Sequence, residues 1–181
     1  MIIKLLKVFL LTMLAYLLQA TVAQPIAIGG VAPNIAFALI AVVAVGLGRK
    51  YAFAMSIAVG YLLEIMLPAL DYISLIAYPV CAMLGALFFS DKSERKLEEE
   101  RTQGKRSGQW NPHLRTVLCA MLSTAIFEGV NLFYTFLTGV ALDAGHWGRA
   151  VFDMVYTGAL AGLFQFPVRK WLGIYNLPKA R

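Results

Sequence analysis

A chain of 181 residues that is 60% hydrophobic and 14% charged, with a mean hydropathy of +0.70, departs from soluble-domain composition toward the membrane class. One integral membrane domain is expected. A formal net charge of +6 would elsewhere suggest nucleic acid, but the bases punctuate apolar runs and no Lys/Arg face is interleaved with stacking aromatics. Cys81 and Cys119 lie inside apolar runs without CxxC spacing or a partnering His, which speaks against a metal or redox pair and leaves them as packing residues.

The first apolar run, 2–23, follows Lys4 and Lys7 and ends in Gln24-Pro25. Basic-then-apolar also fits a secretory signal, with Thr21 and Ala23 at plausible cleavage positions. Because Thr12, Tyr16 and Gln19 fall at helical spacing on one face, which a disposable segment does not need, we read the run as a retained helix.

Residues 29–68 then read as a transmembrane hairpin. Spans 33–48 and 51–67 each cover about 24 to 26 Å at the helical rise, close to the ~30 Å of bilayer hydrocarbon. Pro33 is expected to open the first of them, with Asn34 in its first turn, and the Arg49-Lys50 pair to form a basic turn on the cytoplasmic side. A fourth span, 72–90, contains Pro79, where a kink is expected. Residues 91–113 form a charged cytoplasmic loop, DKSERKLEEERTQGKR at its densest, and read as a solvated extension of the fourth helix. Spans 114–138 and 147–171 complete the set, with Trp147 and Trp171 near the ends of the last one, where an amphipathic ring prefers the interface. His113 and His146 read as isolated loop residues.

The topology can be tested on all sixteen basic residues. Six spans with both termini cytoplasmic put every one inside except Arg149, as the Lys/Arg bias of short loops requires. The expected fold class is therefore an all-α integral membrane protein, a six-helix bundle with both termini on the cytoplasmic side.

Three acids fall within the spans: Glu64, Glu128 and Asp153. An ionisable group in hydrocarbon costs roughly 2.5 to 3.5 kcal/mol on insertion scales, so each should face protein or water and have a partner. Glu128, about 20 Å along its helix from Arg115, is the deepest. Thr124, Glu128, Asn131, Thr135 and Thr138 share one helical stripe, and shorter stripes recur at Thr12/Tyr16/Gln19, Ser56/Gly60/Glu64 and Asp153/Thr157/Gln165. A polar centre shared by several helices follows. It reads first as hydrogen-bonded glue around a neutral Glu128, and second as a proton or small-molecule site. Gly158/Gly162, Ala54/Ala58 and Ala82/Ala86 give small-xxx-small spacings suited to close internal packing. No P-loop, GxSxG or HExxH is found, so neither an enzyme nor a cofactor is expected.

The segment 17–65 resembles the rod-shape-determining membrane proteins called MreD. The likeness lies in a first helix ending around Gln19-Ala20-Thr21, then Gly-Gly-Val-x-Pro-Asn at 29–34, an apolar helix, Gly48-Arg49-Lys50, and Gly60 followed four residues on by Glu64, where that family usually has Asp. The resemblance implies a non-enzymatic subunit of the bacterial cell-elongation machinery. It also implies a fold similar to the six-helix substrate-binding subunits of energy-coupling-factor vitamin importers, and as partners the membrane-anchored MreC, the actin-like MreB and the polymerase and transpeptidase pair of lateral peptidoglycan synthesis. The alternative role is that of such an importer subunit, against which weighs the absence of an Ala-x-x-x-Ala face on the first helix beyond Ala23/Ala27.

Overall fold

The computed structural model describes residues 2–66, 73–89 and 110–173; the expected 68–71 turn and the charged stretch 91–106 lie outside them. The described residues form six helices: α1 (Ile2–Thr21), α2 (Ile35–Gly46), α3 (Arg49–Met66), α4 (Ile73–Phe89), α5 (Pro112–Leu137) and α6 (Ala144–Leu172). The only strand-like pairing among them is an isolated bridge between Ile28 and Val31.

Helix α2 is the axis. Its sequence, IAFALIAVVAVG, is apolar on every side, and a helix of that kind must be enclosed. Every residue from Ile35 to Val45 is buried, and α2 packs against each of the other five helices. It is also short: 12 residues span about 18 Å.

The chain enters α2 through a tight reversal rather than directly. Ile28 and Val31 exchange both backbone hydrogen bonds at 3.1 Å, with Gly29 at φ 61 and Gly30 at φ 79 between them. Two consecutive left-handed residues make a type I′ turn, which only glycine adopts without strain at both positions. The helix therefore starts at Ile35, and the expectation that Pro33 opens it with Asn34 in the first turn is corrected: Asn34 is the N-cap. The 33–48 span shortens accordingly. Leu47 and Gly48 make the turn after it, and Arg49 and Lys50 belong to the first turn of α3 instead of forming the link themselves. Pro112 and Asn111 likewise open α5 two residues before the expected start, and α6 begins at Ala144 behind an Asp143 cap. Helix α4 runs unbroken through Pro79.

Basic side chains tie helix ends together at one end of the bundle. Arg49 Nη2 donates to Leu87 O (3.1 Å), and Arg115 donates to Phe89 O through Nε (2.9 Å) and Nη2 (2.6 Å), so two guanidinium groups satisfy carbonyls that the end of α4 leaves orphaned. Lys7 Nζ donates to Trp171 O (2.7 Å) at the end of α6, with its ammonium 5.8 Å from that ring's centroid. Arg169 Nη2 donates to Pro112 O (2.9 Å) and Thr116 Oγ1 (2.6 Å) at the start of α5. The starts of α1, α3 and α5 thus gather with the ends of α4 and α6. At the opposite end Glu64 Oε2 accepts from Ser74 N (3.1 Å), joining α3 to α4.

Small residues set the closest crossings. A Cβ at Gly60 would lie 2.9 Å from Ser74 O, and one at Gly85 would meet Ser123 Oγ and stand 3.1 Å from Cys119 O, fixing α3 on α4 and α4 on α5. Gly158 abuts Met121 and Gly162 abuts Val117, so the GxxxG of α6 is spent inside the bundle, against α5. Ala82 and Ala86 are buried, whereas Ala54 faces outward.

The exterior is as apolar as the interior. Phe88 (75% exposed) and Ile76 (66%) of α4, Ile3 (72%) of α1 and Leu163 (67%) of α6 project from three different helices. In water such a surface would associate, whereas in lipid it is the solvated face. Three helical segments, Ile3–Thr21, Pro112–Leu137 and Ala144–Leu172, are long and apolar enough to cross a membrane; Ile35–Gly46 and Ser74–Phe89 are shorter apolar helices. The molecule is an all-helical membrane protein.

Candidate functional site

The polar centre forms where the N-terminus of α2 meets α4, α5 and α6. Four backbone N–H groups at such a terminus have no partner within the helix, and here each finds one. Asn34 N donates to Thr157 Oγ1 (2.8 Å), Ile35 N to Pro33 O (3.1 Å), Ala36 N to Gln19 Oε1 of α1 (3.2 Å), and Phe37 N to Asn34 Oδ1 (3.1 Å). No donor remains for an anion. The terminus is a joint that pins α1 and α6 to the central helix.

Asn34 also reaches α4, where its Nδ2 donates to Tyr78 OH (3.1 Å). Tyr78 stacks on Phe37 with ring centroids 4.6 Å apart, and Phe127 of α5 closes on both rings at 5.2 and 5.4 Å. The aromatic cluster keeps one apolar wall of the centre dry.

The acids supply the other wall. Thr157 Oγ1 donates to Asp153 Oδ1 (3.0 Å), one turn away on α6. Asn131 Nδ2 donates to Glu128 Oε1 (3.4 Å) on α5. Glu128 faces Asp153 across the α5–α6 seam, on the side of α6 whose Ala150, Val151 and Met154 line a crevice with it. An ionised carboxylate only accepts, so a hydrogen bond between two carboxyls requires a proton on one of them. Asp153 is buried; Glu128 is half-buried and borders a crevice of about 150 Å³ lined with Leu132, Trp147 and Met154.

Of the residues expected from sequence to form the centre, Glu128, Asn131 and Asp153 meet there. Thr124 lies one turn below Glu128, fully buried, with no hydrogen-bond partner for Oγ1. Glu64 does not join: it caps the start of α4 at Ser74. Thr135 and Thr138 bond back to Asn131 O and Thr135 O, and Thr12 and Ser56 to Val8 O and Phe53 O, so those four hydroxyls are absorbed by their own helices. Asn34, read as a turn residue, is instead the hub. Tyr78 was missed, although a tyrosine next to Pro79 within an apolar run is a polar handle that has to be satisfied somewhere.

A second polar group lies near the basic end, where His113 Nδ1 sits 3.0 Å from Gln165 Oε1 and its ring stacks on Phe166. His113 is thus a helix residue with partners rather than an isolated loop residue. His146 accepts from Asp143 N at 3.3 Å and closes the capping box of α6. Among the described residues no group of three His, Cys, Asp or Glu could hold a metal ion, and Cys81 and Cys119 are free and buried. Comparison with family models, with curated proteins and with solved structures finds no match to this chain.

Proposed function

We propose that this protein is a non-enzymatic scaffold subunit of the bacterial cell-elongation and lateral peptidoglycan synthesis machinery, crossing the cytoplasmic membrane six times with both termini inside. The observation that carries the reading is how little room the polar centre leaves for a ligand. The backbone donors at the start of α2 are all spent on protein groups, and the crevice beside Glu128, about 150 Å³, is well below the roughly 300–1,000 Å³ of small-molecule sites. What remains for contact is apolar outer surface and the cytoplasmic segments. A vitamin-capturing role would need more room beside Glu128 and Asp153.

Two features favour six crossings. Described bases at Lys7, Arg49, Arg115 and Arg169 are engaged at the same end of the bundle, while Arg149 lies toward the other. Helix α2 is too short to span hydrocarbon alone, but it is enclosed by the other helices, and irregular backbone at membrane depth is tolerated when protein surrounds it. Through the resemblance of segment 17–65, the partners are an MreC-like membrane-anchored protein, the wall polymerase and transpeptidase pair, and MreB, within a shell of membrane lipid.

Depletion in a rod-shaped host tests the reading. Rounding of the cells, reversed by re-expression and unaccompanied by loss of vitamin uptake, is expected. Normal rods with lost uptake would overturn it.

A further inference from the structure

Among the described residues the polar centre borders a crevice and holds an unsatisfied hydroxyl, and both lie on the α5–α6 seam. Glu128 lines the crevice between Ala125, Gly129 and Leu132 of α5 and Trp147, Val151 and Met154 of α6, and also faces Asp153. A space of about 150 Å³ holds several waters at their ~30 Å³ share of liquid volume. Below the acids, Thr124 is fully buried and its Oγ1 lacks a partner, a condition that costs about 1–3 kcal/mol unless a small polar guest relieves it. The antiparallel register that sets Glu128 against Asp153 carries Thr124, four residues back, level with Thr157, four residues on. The orphan hydroxyl therefore belongs to the same seam, one turn beneath the pair.

We propose that Glu128, Asp153 and Thr124 form a water-accessible proton-binding site, in which one exchangeable proton lies between the two carboxyls and water in the crevice delivers and removes it through Glu128. Asp153 passes the state of the pair to the α2 joint, because the Thr157 hydroxyl that donates to it also accepts from Asn34 N. Among the described residues the titratable and charged groups around the pair are few. Tyr78 faces it from α4, α2 presents none, and on α6 Arg149 lies one turn outward and exposed. The site stands independently of the scaffold reading.

Infrared difference spectroscopy of the full chain in lipid nanodiscs tests it, with D2O and pH as the probes. The expected result at neutral pH is a protonated-carboxyl band that shifts promptly in D2O, survives Glu64→Gln, and is lost in Glu128→Gln and in Asp153→Asn alike, because the proton belongs to the pair. Thr124→Val should keep the band and slow its shift several-fold. No such band, or a band unmoved by D2O after exposed amides have exchanged, overturns the proposal, as does a band that survives either acid substitution. An unchanged exchange rate in Thr124→Val removes Thr124 from the site. Should the acid variants fail to fold, the wild-type D2O shift decides alone, since a proton serving only as buried glue would not exchange.

Discussion

Asn34 shows how much one side chain can do where a helix begins inside a protein. Its Oδ1 caps Phe37 N, its Nδ2 holds Tyr78, and its own amide seats Thr157. Replacing such a cap with alanine costs about 0.5–2 kcal/mol, and stranding the Tyr78 hydroxyl adds about 1–3 kcal/mol. Asn34→Ala should therefore lower the unfolding midpoint in a detergent titration more than Tyr78→Phe does. The phenylalanine keeps the stack on Phe37 and gives up about 1 kcal/mol of hydrogen bonding. Equal midpoints would mean that the cap carries little.

Helix crossings here are decided by what a methyl group would hit. At Gly60 and Gly85 the obstacles include backbone oxygens, which cannot swing aside, whereas at Gly162 the nearest atom is Val117 Cγ2 at an ordinary 3.6 Å. Gly60→Ala and Gly85→Ala should each destabilise by about 1–3 kcal/mol, in the range of overpacking. Gly162→Ala should be neutral or gain up to the ~1 kcal/mol helix-propensity difference. Parallel thermal unfolding of the three variants checks the ranking. The end of α4 depends on Arg115 in a different way, since its fork donates twice to Phe89 O. Arg115→Ala should cost about 1.5–3 kcal/mol, the worth of a charged hydrogen bond. Arg115→Lys should recover only part, because an ammonium cannot reproduce the fork.

For the whole molecule the testable quantity is sidedness. Cys81 and Cys119 are buried, so an introduced thiol dominates labelling. In intact cells a membrane-impermeant maleimide should label Val140→Cys, in the exposed α5–α6 turn, and spare Lys50→Cys until the cells are opened. Labelling of Lys50→Cys from outside would invert the proposed topology. At this scale the bundle is a sleeve around α2, with polar groups turned inward at the start of α2 and at the basic end, and apolar side chains left to the surroundings.

The membrane character, the helices and their approximate limits, and the inward stripe carrying Glu128 and Asn131 were legible in the linear chain, because hydropathy and a 3.6-residue period are local properties. So were the basic residues that gather at one end. Other features depended on contacts between distant segments: Asn34 as the hub, Tyr78 as its partner, Glu64 spent on Ser74, and the meeting of Glu128 with Asp153. The Gly-Gly reversal at Gly29-Gly30 sets where α2 begins, and that position selects which side chains of α4, α5 and α6 surround its N-terminus. Periodicity tells a side chain which face of its own helix it occupies; only the crossing of helices tells it what lies opposite.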